Sequence, residues 1–227
     1  SKHIILLSHM RANTSLIGHV LGSHEDISGY YEMHIGYYSW KSFYRQKIEF
    51  FSTHSNNKNT PYFFDKVLHS EHSVNTALFN KSTIALFSLR DPEKTVPSIV
   101  KLYEGVDPSH TFCTIAGAAE YYIERVTTLA TMAEKLSGKY YYYDAEAIKE
   151  KTEDTLDFLT SSLKLSSPLQ QSYKAQRNTG KGDSGDHSEN LTKGYISKTH
   201  TDYSNYDIPE DLANKLKTAY HKARLVI

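Results

Sequence analysis

Residues 3–34 read HIILLSHMRANTSLIGHVLGSHEDISGYYEMH. The run His3 to Leu7 is short and almost wholly apolar, the pattern of a buried strand. His9 to Asn13 is a polar break. Beyond it, Leu16, Ile17, Val20 and Leu21 fall on one face of a helix that begins at Thr14, and the Thr14 hydroxyl is placed to cap that helix. A strand, a tight polar turn and a helix N-terminus together form an anion site, because N–H groups without intrahelical partners and the positive end of the helix dipole point at the same spot. Arg11 adds a full charge to the turn. The G-x-x-x-x-G-K-[ST] phosphate loop is absent, which disfavours a typical kinase or GTPase.

Working outward, the same alternation repeats. Ile27 to Tyr31 predicts a short second strand ending before Glu32, and Tyr37 to Phe51, rich in aromatic and basic residues, predicts a helix or lid. Pro61 to Val67 (PYFFDKV) predicts a strand and Glu71 to Lys81 a short helix. Thr83 to Leu89 (TIALFSL) is nearly all apolar, as a strand covered on both faces should be. Arg90 and Asp91 close it, and Pro92 opens a helix at a tolerated position. A long helix is predicted over Thr114 to Leu136, a strand over Lys139 to Tyr143, a short helix from Asp144, and helices over Glu153 to Leu163 and Pro209 to Leu225. Ser166 to Asn190 reads as a long surface loop, with Asn178 to Asn190 its flexible part. Strands alternating with helices predict an α/β fold: a single domain over residues 1–227, with a central parallel sheet flanked by helices.

Composition narrows the function classes. The 227 residues carry 26 Lys plus Arg against 26 Asp plus Glu, so a general nucleic-acid binder, which needs a basic excess, is disfavoured. Cys113 is the only cysteine, so there is no internal disulfide and no cysteine-based metal site. The 12 histidines show no H-E-x-x-H or comparable spacing, so no metal site is read from sequence. No signal peptide and no apolar run of membrane-spanning length is seen; the expectation is a cytoplasmic chain without a membrane span.

In a wound parallel sheet, ligands bind beyond the C-terminal strand ends. The polar residues there are Arg11, Glu32, Lys66, Arg90 and Tyr143-Asp144. Three cations and a carboxylate on one rim make an anion site with a base beside it.

These residues resemble those of sulfotransferases that use 3′-phosphoadenosine-5′-phosphosulfate (PAPS), with a motif pattern similar to the Golgi-type, tyrosylprotein and bacterial members. M-R-A-N-T-S-L-I, Met10 to Ile17, resembles the 5′-phosphosulfate loop (P)-[KR]-S-G-T-[TS]-L. Arg11 stands on the basic position, Ala12 and Asn13 replace the usual Ser-Gly, and Thr14-Ser15 match the hydroxyl pair. R-D-P-x(5)-S, Arg90 to Ser98, resembles the 3′-phosphate site. Asp65-Lys66 looks like the family's D-K at the end of a strand. Tyr143-Asp144 is similar to a stretch whose Tyr lies near the adenine, and G-K-G-D-S-G-D, Gly180 to Asp186, to a loop that covers the 3′-phosphate, with Lys181 and Gly182 on matching positions.

The resemblance implies a P-loop-like sulfotransferase fold and in-line transfer of a sulfuryl group from PAPS to an acceptor hydroxyl, on a small molecule or glycan, releasing adenosine 3′,5′-bisphosphate (PAP) without a metal. Glu32 stands where Golgi-type enzymes carry the general base. Lys66 and Arg11 fall to the transferring group, and Arg11, Ala12, Asn13, Thr14, Ser15, Arg90, Ser98, Tyr143, Lys181 and Gly182 to the cofactor. His69 is the alternative base by analogy with cytosolic members, and His34 with Tyr30-Tyr31 are candidates to touch the acceptor. The rival readings are a small-molecule phosphotransferase and a non-catalytic relative that binds PAP.

Overall fold

The computed structural model describes residues 1–54, 59–180 and 189–227. Five strands, β1 (Lys2–Leu7), β2 (Ile27–Ser28), β3 (Tyr62–Val67), β4 (Thr83–Leu89) and β5 (Tyr141–Asp144), form one sheet in the order β2-β3-β1-β4-β5. Every pairing is parallel, with Leu6 opposite Lys66 on one side of β1 and opposite Leu86 on the other. The helices are α1 (Thr14–Gly22), α2 (Lys41–Thr53), α3 (Pro92–Val106), α4 (Ile115–Leu136), α5 (Ala147–Glu150), α6 (Thr152–Leu163) and α7 (Glu210–Val226). The predicted α/β fold is the observed one.

Alternation along each strand divides the core in two. Ile5, Leu7, Phe63 and Phe87 join α3, α4 and α7 on one face. Ile4, Leu6, Phe64 and Leu86 join α1 and α6 on the other. Burying both faces is why β1 and β4 read as continuous apolar runs. Burial holds the His3 pKa down at about 4, and one ring nitrogen lies 2.7 Å from Gln46 Oε1, tying α2 to β1.

Three local expectations are corrected. The second strand is only Ile27–Ser28, because Gly29 turns at φ 100° and a Cβ there would stand 2.2 Å from the Phe64 carbonyl oxygen. Glu71 to Lys81 is not a helix. Tyr37 N–H donates to Ser73 O and Asn75 N–H to Tyr37 O, so this segment spends its backbone on a neighbour and only Thr76–Leu78 turns, as a single 3₁₀ turn. Thr14 does not cap α1: Asn13 occupies the cap position, and its side chain makes no capping hydrogen bond.

Candidate functional site

The site sits on the C-terminal edge of β1, β3, β4 and β5. Two residues of the turn after β1, Arg11 at φ 62° and Asn13 at φ 55°, hold the left-handed conformation, which Asn tolerates better than most residues. Asn13 Nδ2 donates to the Ala145 carbonyl at 2.7 Å, fastening the turn to the end of β5. Ser8 Oγ donates to Ser88 O at 2.7 Å, fastening it to β4. Ala12 is fully buried beneath the turn. The first turn of α1 holds no acidic residue, so nothing opposes an anion where the dipole favours one.

His9 sets the position of Arg90. With Nδ1–H donating to Met10 O at 2.9 Å, Nε2 is the acceptor for Arg90 N–H at 3.0 Å. That arrangement needs the neutral ring. Burial supplies it, holding the His9 pKa down at about 3 with the nearby Arg125 and Arg90 charges acting in the same sense.

Arg90 then reaches back over the turn. Its Nη1 donates to Arg11 O at 2.9 Å. Arg11 Nε donates to Ser98 Oγ, on α3, at 3.0 Å. Among the described residues Arg90 Nε is buried without a hydrogen-bond partner; the nearest carboxylate oxygen there, Glu146 Oε1, is 3.8 Å away and is held at 2.6 Å by Lys94. A buried guanidinium donor left unsatisfied is costly, and Arg90 lines a cleft together with Arg11, Thr14, Ser15 and Ser98. Tyr203 closes the far wall. Burial pushes its phenol pKa up, but hydrogen bonds with Ser98 and Thr201 and the charges of Arg90 and Arg11 outweigh it, and the net shift is downward. Arg11, Arg90 and Lys149 line the cleft against one carboxylate, Glu146, an excess of positive charge that favours an oxyanion.

Asp65 and Lys66 divide between the two faces of the sheet as neighbours in a strand must. Lys66, buried on the α1 side, donates from Nζ to Ser15 Oγ at 3.0 Å. Asp65 points the other way and accepts from Met33 N–H, Lys66 N–H and the Tyr37 hydroxyl at 3.0, 2.7 and 2.6 Å. Burial raises its pKa to about 7 against the lowering effect of those donors.

Glu32 is buried, and its carboxylate accepts from Leu68 N–H at 3.3 Å. His34 Nδ1 lies 4.0 Å from it. His69 packs on Tyr121 with ring centroids 5.5 Å apart, and burial lowers its pKa although the Glu32 charge acts to raise it. Tyr143 is buried in the core among Leu86, Ile148 and Leu156 and does not line the cleft. Lys181 and Gly182, and with them most of the predicted flexible segment Asn178 to Asn190, lie outside the described residues. Tyr30 and Tyr31 are buried, ring centroids 5.0 Å apart.

Two residues escaped the sequence reading. Tyr203 lies in a polar stretch with no local signal. Arg125 does carry one, since it falls on the buried stripe of α4 between Tyr121, Tyr122 and Leu129. Its fully buried guanidinium donates to Ser8 O at 2.8 Å and Val67 O at 2.6 Å, clamping the ends of β1 and β3.

No protein-family model matches the chain, and no curated protein matches it significantly. Solved structures do. The sulfotransferase domain from the curacin biosynthetic pathway superposes with a TM-score of 0.65 at 13% identity, covering 99% of this chain and 97% of that one. The sulfotransferase domain from the Synechococcus PCC 7002 olefin synthase gives 0.64 at 14% identity, covering 96% and 93%. Retinol dehydratase in complex with androsterone and inactive cofactor PAP gives 0.49 at 8% identity over 97% of this chain and 80% of that one. The chain has the sulfotransferase fold.

Proposed function

We propose that the protein is a PAPS-dependent sulfotransferase that sulfates an acceptor hydroxyl on a glycan, a metabolite alcohol or a phenol. The observation that carries this reading is the buried Arg90 Nε, unsatisfied among the described residues, beside the Arg11–Ser98 pair and a helix N-terminus without acidic residues. Two guanidiniums and two hydroxyl-bearing segments suit a ligand with anionic groups at two ends better than one with a single anion.

In the reaction, the acceptor oxygen bonds to sulfur as the bond from sulfur to the 5′-phosphate oxygen breaks. The electron pair stays on the departing PAP, and the acceptor proton passes to Glu32. Lys66 and Arg11 stabilise charge on the transferring group and on the leaving phosphate. Arg90 and Ser98 hold the 3′-phosphate. Incubation with labelled PAPS and a panel of hydroxyl acceptors tests the reading: label should move to one acceptor class as an equal amount of PAP appears. Magnesium-dependent ATP turnover without sulfuryl transfer would make it a phosphotransferase instead, and tight PAP binding without transfer a non-catalytic relative.

A further inference from the structure

Glu32 and His34 flank Met33, His72 lies far along the chain, and each brings one ligand atom into a group whose members all lie within 4.8 Å of one another. We propose that these three residues form a zinc-type divalent metal site, and that filling it switches off the transfer reaction by occupying the base. The second half rests on the role given to Glu32 above; the first stands on the geometry alone.

One carboxylate oxygen and two imidazole nitrogens are the donor set of a zinc site with a fourth position left to water. Donors about 2.0–2.1 Å from a tetrahedral zinc lie roughly 3.3 Å from one another. Glu32 Oε1 and His34 Nδ1 are already 4.0 Å apart, so modest turns about the soft ring torsions close the group. Among the described residues His72 Nε2 is buried without a hydrogen-bond partner, its nearest carboxylate oxygen being Glu71 Oε1 at 3.5 Å. The two imidazoles lie tilted at 57° with ring centroids 5.5 Å apart. An entry path exists, since the His34 side chain is 46% exposed while that of Glu32 is only 9%.

The group is held by its frame. His34 follows the bend after β2 in a left-handed conformation, φ 54°. His72 lies in the turn after β3. These segments are cross-linked just beyond the histidines by Tyr37 N–H to Ser73 O at 2.8 Å and Asn75 N–H to Tyr37 O at 2.7 Å. Met33 N–H is anchored on Asp65 at 3.0 Å. Neighbouring strands β2 and β3 deliver the two segments side by side. A spacing of one and then thirty-seven intervening residues matches no local ligand motif, which is why sequence alone pointed to no metal site. A carboxylate bound to zinc through one oxygen is a much weaker base, because the cation favours its ionised form, and so takes the acceptor proton poorly. Donor binding is unaffected, because Arg90, Ser98 and Arg11 lie in the other cleft.

The test is titration with Zn²⁺ alone, by calorimetry and by competition with a chromophoric chelator, on the wild type and on Cys113→Ser, His72→Ala and the surface control His221→Ala. The expected result is one site in the wild type, kept in Cys113→Ser and His221→Ala, and weakened on the order of tenfold or more in His72→Ala, since even partners of metal ligands carry 10–100-fold effects. Equal affinity in the wild type and His72→Ala overturns the site. In turnover assays Zn²⁺ should inhibit the wild type and spare His72→Ala, while PAP-induced stabilisation persists with zinc bound. Undiminished turnover with the site filled overturns the switch. If no acceptor is ever sulfated, the titration still decides the site.

Discussion

Arg11 Nε and Ser98 Oγ are 3.0 Å apart, joining segments 87 residues distant in the chain. With Arg90 Nη1 on the Arg11 carbonyl at 2.9 Å, the turn after β1 and the start of α3 form one rigid anion cradle. A ligand that carries both a 5′- and a 3′-phosphate engages the whole cradle, and one without the 3′-phosphate only part of it. PAP should therefore raise the melting temperature far more than AMP. At a hundred times Kd the gain is about 2.7 kcal/mol, which for a chain of this size is roughly 5–10 °C. Arg90→Ala should remove most of the PAP shift and leave the small AMP shift. Equal shifts from both nucleotides would remove Arg90 and Ser98 from the 3′-phosphate site.

Acid should loosen the same cradle through His9. Its folded pKa is about 3, against an ordinary value near 6.5. Between those values the unfolded chain binds a proton that the folded one refuses, so stability is constant above about pH 6.5 and falls as pH drops below it. Each pH unit costs about 1.4 kcal/mol, or about 2 kcal/mol by pH 5. His3, held at about 4, adds in the same direction. His9→Gln keeps a donor and an acceptor but not the titration, so its urea-derived stability should fall less steeply from pH 6.5 to 5. Parallel profiles for the two proteins would show that His9 is not the source.

The rim of the sheet was legible because chemistry there is local. Arg11 sits in a turn between an apolar run and a helix, Arg90 directly follows β4, and Ser98 is two turns into α3. The core was legible for the same reason, since β1 and β4 are buried on both faces. What could not be read depended on contacts across the chain. Glu71 to Lys81 has enough helix formers to suggest a helix, yet Ser73 and Asn75 pair with Tyr37. Thr14 is a good cap by residue type, yet Asn13 takes that place by adopting φ 55°. Tyr203 reaches Ser98 from a stretch whose own composition says only that it is polar.

Tyr37 and Asp65 make the shortest hydrogen bond at the base of the Glu32 loop, 2.6 Å and fully buried. Tyr37→Phe removes one of three donors to Asp65 without changing ring packing. The Asp65 carboxylate, with a pKa already raised to about 7 by burial, is then pushed higher, because hydrogen bonds to the charged form are what hold it down. The expected loss at pH 8 is about 1.5–3 kcal/mol, the range for a bond to a charged group. It should shrink toward pH 5.5, where Asp65 is protonated in both proteins. A loss that does not vary with pH would mean that packing, not charge, is at stake.

Glu32→Gln tests the base. Glu32 leaves the sheet at β2, its carboxylate pinned by Leu68 N–H, while the adjacent Met33 N–H is pinned by Asp65. Two buried anchors fix the group that must come within hydrogen-bond reach of the acceptor proton. Glutamine keeps the size and can still accept from Leu68, but it cannot take a proton. Turnover should drop by roughly a hundredfold or more, the range for losing a general base, while the PAP-induced melting shift stays intact because Glu32 does not line the nucleotide cleft. Glu25→Gln, in the turn after α1, should leave turnover near normal. His69 is the competing base: burial lowers its pKa, so it is neutral and able to accept a proton near pH 7. If Glu32→Gln turns over normally and His69→Asn does not, the proton goes to the imidazole and Glu32 serves only to orient it.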